Sequence, residues 1–211
     1  MNDNRKYNFA LRSTGIRAEY SVIRNWIPKG SRVLDLGCGD GSLLKYLIKK
    51  KISGEGVEIS ESGVQSAKYK KIKARRGRAD EVQPFKDKEF DYAICNVTLP
   101  VLMYPEVCMS EMRRVSKKQI ISFSNFGFFD NRIDLLINGR MPRPMLFGYK
   151  WHTTGLIHQL SIADFEDYCR KNGYKITKKY FFIIDRFGPI PKFILSLFPN
   201  MWAITGIYML E

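Results

Sequence analysis

Short apolar segments with the composition of buried strands alternate with helix-forming segments along most of this chain, and no other feature constrains its fold as much. The strand-like segments lie at 32–36, 54–59, 90–95, 119–123, 174–184 and 202–210, and one more strand is expected just before Asp80. Helical periodicity characterises 42–51, the residues that follow Ser60, 106–115 and 161–172. Strands joined by helices require right-handed crossovers and a mostly parallel sheet that is covered on both faces. We therefore predict an α/β, Rossmann-like fold.

Two segments depart from this alternation. Residues 1–27 contain a helical lead-in, with apolar side chains at helical spacing from Ile16 to Ile27. Residues 125–160 are rich in glycine, proline, arginine and aromatic residues and are too long for a plain connection. Because long ordered loops at strand ends tend to carry function, we interpret 125–160 as a cap inserted over a binding cleft. A chain of 211 residues can bury one substantial core, so we predict that 1–211 form a single domain.

The charge of the chain is strongly positive, at +14, and seven cations lie between Lys68 and Arg78 with no acid among them. Such charge favours polyanions, solubility or acidic partners. No apolar segment follows the charged N-terminus, so we expect no signal peptide and a cytoplasmic location. The uncharged stretch 193–210 is divided by Pro199-Asn200, which favours a turn over a membrane span. Four cysteines without zinc or redox spacing and two histidines lead us to predict no metal site.

The first strand leads into a glycine-rich turn, Gly37-Cys38-Gly39-Asp40-Gly41. In open parallel sheets ligands bind at the carboxyl ends of the strands, and glycines there let the backbone pass close beneath a ligand. The dinucleotide fingerprint would place a third glycine at position 42, which is Ser42. Asp35, just before the glycines, would repel a pyrophosphate but attract the ammonium and sulfonium of S-adenosylmethionine. We therefore predict S-adenosylmethionine as the cofactor.

Other polar residues follow the later strands. Glu58 lies nineteen residues beyond Gly39, where an acid can accept both ribose hydroxyls. Asp80 is placed to take the adenine amino group, although Glu81 could replace it, and Asn96 would line the cleft opposite Gly37. A turn-forming Asp35 and a helix-capping Glu58 are the competing structural interpretations. The predicted cofactor-binding residues are Asp35, Gly37, Cys38, Gly39, Gly41, Glu58, Ile59, Asp80 and Asn96. Cys38 and Cys95 could face each other across adjacent strands, as packing residues.

Several motifs together resemble the methionine-biosynthesis protein W family. They are VLDLGCGDG at 33–41, FDY at 90–92, ISFSNFG at 121–127, NGRMP at 138–142, Tyr149 with Trp151, Ile157-His158 and Pro199-Asn200. The first is shared by many methyltransferases, whereas SNFG with GRMP and Ile-His is more specific. The resemblance implies a class I methyltransferase fold with a seven-stranded sheet. It also implies a role beside homoserine acylation in methionine synthesis, in which such proteins are thought to support the acyltransferase.

The sequence departs from this family in two places. Residues 148–158 read GYKWHTTGLIH, where the family commonly has an acid and an asparagine, and residues 1–25 are an extension relative to the typical member. Because of these two departures, the resemblance alone does not identify the substrate or partner of this chain.

Three functions are compatible with these observations, and whether the chain is an enzyme stays open. The first is a donor-binding protein that supports homoserine O-acyltransferase. The second is a small-molecule methyltransferase, with Tyr149 and His158 as the candidate proton acceptors; packing could equally explain both residues. The third is an RNA methyltransferase that uses Lys68 to Arg78 for phosphate contacts, although charge runs are often solvated helix faces. Residues of the insert with the composition of an interface core are Phe126, Phe128, Phe129, Arg132, Arg140, Met141 and Arg143.

Overall fold

A computed structural model describes residues 15–142, 158–183, 191, 193 and 197–211 of the chain. The strands are β1 (Arg32–Leu36), β2 (Ser53–Glu58), β3 (Lys73–Arg76), β4 (Phe90–Asn96), β5 (Ser116–Ser124), β6 (Ile176–Ile183) and β7 (Ala203–Leu210). The helices are α1 (Ala18–Trp26), α2 (Ser42–Ile48), α3 (Glu61–Tyr69), α4 (Pro105–Val115), α5 (Phe129–Asn138), α6 (Ile162–Lys171) and α7 (Pro199–Trp202). A 3-10 turn, Leu99–Val101, follows β4.

The strands form one seven-stranded sheet in the order β3-β2-β1-β4-β5-β7-β6. Strands β1 to β5 pair in parallel, and β7 lies antiparallel between β5 and β6. The order reverses between β1 and β4, and at such a switch point the loops after neighbouring strands diverge and leave a crevice. The predicted Rossmann-like, mostly parallel seven-stranded sheet is confirmed.

Helices cover both faces of the sheet, as predicted. One apolar cluster packs α1, α2 and α3 against the sheet and includes Ile23, Leu44 and Val64. The other cluster packs α4 and α6 on the opposite face and includes Met112 and Phe165.

The buried cysteines occupy different clusters from the ones we expected. Cys38 belongs to the first cluster, whereas Cys95 belongs to the second. The expectation that these two face each other is therefore wrong. The neighbour of Cys95 is Cys108, whose pKa is raised well above its usual value by the Cys95 thiol and by burial. Packing on opposite faces of the sheet explains both cysteines.

The basic run begins on the exposed face of α3 with Lys68 and continues through the turn that follows into the edge strand β3, so most of it is not a helix face. Only Ala74 is buried in β3, while Lys73, Arg75 and Arg76 are exposed. Strand β3 lies at one end of the sheet, where charged side chains discourage pairing with another chain. The location of the charges therefore has a structural explanation.

The predicted boundaries shift at both ends of the chain. The lead-in is helical only from Ala18, since 15–17 are not helical and 1–14 lie outside the described residues. Pro199-Asn200, expected as a turn between two buried elements, instead begin the four-residue helix α7, which β7 follows, and the preceding Leu197 and Phe198 are exposed. Within the described part of the chain, no helix is long and apolar enough to cross a membrane.

The insert 125–160 starts with a helix. Helix α5 ends at Asn138 and is followed by Gly139, which has the left-handed backbone (φ 57°) that favours glycine after a helix. Residues 143–157, and with them Arg143, Tyr149 and Trp151, lie outside the described residues. Only the beginning and the end of the insert are therefore described, and its role as a cap stays a prediction.

A buried asparagine ties the start of the insert to the rest of the molecule. Asn125 is 1% exposed, and its Nδ2 donates to the carbonyl oxygens of Asn200 (3.0 Å) and Ala203 (2.7 Å). Its Oδ1 accepts from the N–H groups of Gly127 (3.0 Å) and Ile162 (3.1 Å). The SNFG motif and the Pro199-Asn200 pair thus meet in one polar cluster, which explains them as structural residues.

Candidate functional site

A cavity of about 230 Å³ opens at the carboxyl ends of β1, β2 and β4. Eight of the nine predicted cofactor-binding residues line it: Asp35, Gly37, Cys38, Gly39, Glu58, Ile59, Asp80 and Asn96. The ninth, Gly41, is not part of the lining. Its backbone is left-handed (φ 72°), and a Cβ would lie 3.0 Å from Ala67, so Gly41 is explained by the start of α2 and by packing.

The glycine turn brings two loops of the cavity together. Gly37 has a left-handed backbone (φ 82°), and a Cβ at this position would lie 2.4 Å from Cγ2 of Thr98. The N–H of Gly37 donates to the carbonyl of Val57 (2.8 Å), which fixes the turn against β2. Cys38 turns its thiol toward Gly56, where a Cβ would lie 2.3 Å from the sulfur. The motif therefore has steric reasons at Gly37 and at Cys38.

Asp35 is a buried titratable group of the cavity. Its side chain is 1% exposed, and within the described part of the chain its Oδ1 has no hydrogen-bond partner. Burial, and secondarily the charge of Glu58, raise the pKa of Asp35 from 3.8 to about 7. A buried carboxyl in this state favours the approach of a positive charge.

Glu58 closes β2 and is bonded to the glycine turn. Its Oε2 accepts from the N–H of Gly39 (2.8 Å), and its Oε1 accepts from the N–H of Ser60 (2.9 Å). Burial raises the pKa of Glu58, while these backbone donors act in the opposite direction. Each carboxylate oxygen has a further lone pair, so Glu58 can accept two more hydrogen bonds.

Asp80 orders the far wall of the cavity. Its Oδ2 accepts from the N–H groups of Met103 (2.8 Å) and Tyr104 (3.1 Å) and from the guanidinium of Arg78 (2.8 Å). The carboxylate is 3% exposed. Asp80 therefore has a structural role in this wall, which its position after β3 did not indicate.

The end of β4 is held by hydrogen bonds to β5. Ser122 donates its hydroxyl to Oδ1 of Asn96 (2.6 Å), and Val97 donates its N–H to the carbonyl of Ser122 (3.0 Å). Val97, which also lines the cavity, has a φ of 55°, a backbone conformation that is strained for a β-branched residue. Such strain gathers at functional sites. No pattern in the sequence indicated it.

Two residues of the lead-in also line the cavity, although sequence analysis gave them no functional role. Arg17 precedes α1 and Tyr20 lies in its first turn. Burial raises the pKa of Tyr20 to about 12, while the charge of Arg17 acts in the opposite direction. Arg17 has an extended backbone just before the helix, so helical periodicity could not have placed it beside Tyr20.

Of the two candidate proton acceptors, only His158 is described, and it does not line this cavity. His158 lines a second cavity, of about 240 Å³, with mainly apolar residues from α4 and α6. Its backbone N–H donates to the carbonyl of Pro100 (3.0 Å). The buried Nε2 of its imidazole has no partner among the described residues. Tyr149 lies outside the described residues. A role for either residue in methyl transfer stays a prediction.

Comparison with known proteins gives the family. The model of methionine biosynthesis protein MetW matches residues 17–210. Helix α1 is therefore part of the family's sequence, and the extension that we expected at 1–25 is correspondingly shorter. Over 171 residues the chain is 32% identical to the bifunctional methionine biosynthesis protein MetXA/MetW of Rhodopirellula baltica. The aligned region covers 76% of this chain but only 27% of that protein.

Solved structures show the same fold. A crystal structure of an S-adenosylmethionine-dependent methyltransferase from Mesorhizobium loti has a TM-score of 0.66 and 17% identity, over 92% of this chain and 97% of that chain. One from Archaeoglobus fulgidus has a TM-score of 0.66 and 19% identity, over 91% and 92% of the two chains. These similarities establish a methyltransferase-like fold. Together with the family model, which spans nearly the whole sequence, they show that this chain belongs to the methionine biosynthesis protein MetW family.

Proposed function

We propose that this chain binds S-adenosylmethionine in the cavity at the ends of β1, β2 and β4. The observation that carries the proposal is Asp35, a buried carboxyl at the glycine turn with a pKa of about 7. A buried carboxyl oxygen without a hydrogen-bond partner among the described residues, such as Oδ1 of Asp35, is costly in the free protein, and a cationic ligand reduces that cost. S-adenosylmethionine carries an ammonium and a sulfonium and has no phosphate, so its charge complements Asp35, whereas a nucleotide diphosphate would be repelled.

The other residues of the cavity fit the remaining parts of this donor. Glu58 would accept the two ribose hydroxyls with its remaining lone pairs. Asp80 would accept the adenine amino group while it continues to hold Met103 and Tyr104. When bound, the donor supplies an electrophilic methyl group. The glycine turn would pass beneath it, with Cys38, Ile59 and Asn96 completing the lining.

Titration calorimetry tests this site. Wild-type protein should bind S-adenosylmethionine and its demethylated product, and NAD should give no heat. Glu58→Ala removes two charge-assisted hydrogen bonds of about 1.5–3 kcal/mol each, so the affinity should fall at least tenfold. Glu61→Ala, a change at an exposed acid in the first turn of α3, is the matched control and should leave the isotherm unchanged. An unchanged isotherm for Glu58→Ala would mean that the ribose is held elsewhere.

The second part of the proposal is that the chain supports homoserine O-acyltransferase. The family resemblance implies this role, and the relative from Rhodopirellula baltica is named for MetXA and MetW together in one protein. A donor-binding subunit that acts through a partner also needs no proton acceptor of its own. The cytoplasm, where we expect both proteins, stays a prediction.

The surface that we propose for docking is the apolar tip of α5, formed by Leu135, Leu136 and Ile137. Leu136 is 80% exposed and Ile137 is 73% exposed, and the exposed Arg140 follows them. Exposed apolar side chains beside an arginine have the composition of an interface core. Two aromatic residues of the insert are excluded from this surface, because Phe128 is buried and the ring of Phe129 stacks on Trp202 at 5.4 Å.

A binding assay with the purified acyltransferase of the same organism tests the docking surface. Leu136→Asp and Ile137→Asp should each cost about 2 kcal/mol of affinity, the size expected for an interface hot spot. Val82→Asp changes an exposed apolar residue (79%) of another surface and is the control that should bind normally. No association of the wild-type protein, with or without S-adenosylmethionine, would end the docking proposal and favour the enzyme.

The two alternatives receive less support. A small-molecule methyltransferase with His158 as proton acceptor needs this residue at the donor, whereas the imidazole lines the second cavity. An RNA methyltransferase would use the cations of the basic run for phosphate contacts, whereas two of them, Lys70 and Arg78, pair with the buried acids Asp40 and Asp80.

A further inference from the structure

The cavity is lined by more acidic than basic side chains, although the proposed ligand ends in an amino acid with charges of both signs. Among the described residues that line it, the carboxylates are Asp35, Asp40, Glu58 and Asp80. The amino-acid end of S-adenosylmethionine carries an ammonium, which suits these acids, and also a carboxylate, which they repel. A cation of the chain is therefore needed to hold that carboxylate, and the lining offers Arg17 and Arg78.

Arg78 is already engaged by acids of its own loop. Its guanidinium binds Asp80 at 2.8 Å and Glu81 at 3.3 Å. Lys70 of the basic run binds Asp40, which lines the cavity, and Ser42. These two cations stabilise the walls of the cavity and leave little charge for a ligand.

Arg17 is in a different state. It is exposed at the start of α1, and none of the carboxylates that the structure describes forms an ion pair with it. Tyr20, in the first turn of α1, lines the same cavity and is 5% exposed. A guanidinium can bind a carboxylate through two parallel hydrogen bonds, and a phenol can add a third.

On the basis of the proposed donor site, we propose that Arg17 binds the α-carboxylate of S-adenosylmethionine, with the hydroxyl of Tyr20 as a second donor. The phenol can serve in this way because burial raises its pKa to about 12 and keeps it protonated. Helix α1 then does more than cover one face of the sheet. It completes the donor site and selects ligands that carry an amino acid over simple thioadenosines.

Calorimetry with three related ligands tests this assignment. The ligands are S-adenosylmethionine, decarboxylated S-adenosylmethionine, which lacks only the carboxylate, and 5′-methylthioadenosine, which lacks the whole amino-acid end. Arg17→Gln should weaken S-adenosylmethionine about tenfold to a hundredfold and leave the decarboxylated ligand within about twofold. Tyr20→Phe should show the same selectivity with a smaller loss.

The control is Arg24→Gln, since Arg24 lies on the same helix but packs over the ring of Tyr46 at 4.4 Å, outside the cavity lining. It should change none of the three affinities. Equal losses for both S-adenosyl ligands in Arg17→Gln would show that Arg17 acts only on the fold, and no loss would place the carboxylate elsewhere. Either result would overturn the assignment while the donor site stands, whereas a wild-type protein that binds none of the three ligands would overturn both proposals.

Discussion

At Asp35, burial raises the carboxyl pKa to about 7, so near neutral pH the free protein contains both its protonated and its ionised form. The proposed donor prefers the ionised form, because a sulfonium and an ammonium gain energy only from the carboxylate. Binding must then release a proton wherever Asp35 is protonated. The affinity for the donor is thereby linked to pH, and it increases as pH rises toward the pKa.

We expect the affinity for S-adenosylmethionine to increase on the order of tenfold from about pH 5.5 to about pH 7. Calorimetry in buffers of different ionisation enthalpy should also detect the released proton. Asp35→Asn should bind weakly, and its affinity should depend much less on pH. Any pH dependence that remains would come from Glu58, whose pKa is also raised by burial. The uncharged ligand 5′-methylthioadenosine should bind with little dependence on pH. An equal slope for this ligand would contradict a role for Asp35 in recognising positive charge.

Residues at strand ends were predictable, and residues that act through distant partners were not. Asp35 and Glu58 lie at the carboxyl ends of buried strands that the pattern of apolar residues identifies, so their place beside the glycine turn could be foreseen. The bonds of Asp80 to Met103 and Tyr104 depend on a loop more than twenty residues away. The left-handed backbone of Val97 and the contact of Arg17 with the cavity likewise arise only from tertiary packing.

Among the elements, the edge strand β3 and its approach combine residues with different roles. Lys71, Arg75 and Arg76 are exposed, whereas Lys70 binds Asp40 and Ser42 at the start of α2. Asp40 also lines the donor cavity. A cation that holds the glycine turn in place affects ligand binding without touching the ligand.

We therefore expect Lys70→Gln to weaken S-adenosylmethionine about fivefold, which corresponds to an ion pair of about 1 kcal/mol. The combined change of Lys71, Arg75 and Arg76 to Gln removes more charge but should leave the affinity within about twofold. Calorimetry at one salt concentration compares the two proteins. If the triple variant loses as much affinity as Lys70→Gln, the effect is one of overall charge. Sequence-selective RNA binding by the wild type that persists near physiological salt would instead favour the RNA methyltransferase.

The elements of the insert illustrate why part of the fold was not predicted. The order and type of most strands and helices follow from apolar periodicity, but α5 was not recognised, because its apolar residues are partly exposed. The partners of Asn125 lie 75 residues or more further along the chain at Asn200 and Ala203. Periodicity cannot reveal such partners, so the SNFG motif was known from resemblance but had no structural explanation.

In the molecule as a whole, the two proposed sites are attached to different strands of the sheet. The donor cavity lies at the ends of β1, β2 and β4. Helix α5 follows β5 and is anchored by Asn131, whose Nδ2 donates to the carbonyls of Asn125 and Phe126, and by the stacking of Phe129 on Trp202. None of these anchors lines the cavity. Sites that share no partners usually contribute independently to the free energy.

We therefore expect the acyltransferase to bind this chain with the same affinity, within about threefold, in the absence and the presence of saturating S-adenosylmethionine. Interferometry with immobilised acyltransferase gives both dissociation constants. The Glu58→Ala and Leu136→Asp variants provide the matched controls, since the first should lose only the donor and the second only the partner. By reciprocity, a donor that strengthened association tenfold would itself bind tenfold more tightly to the complex. That result would contradict independence and would show that the partner senses the occupied donor site.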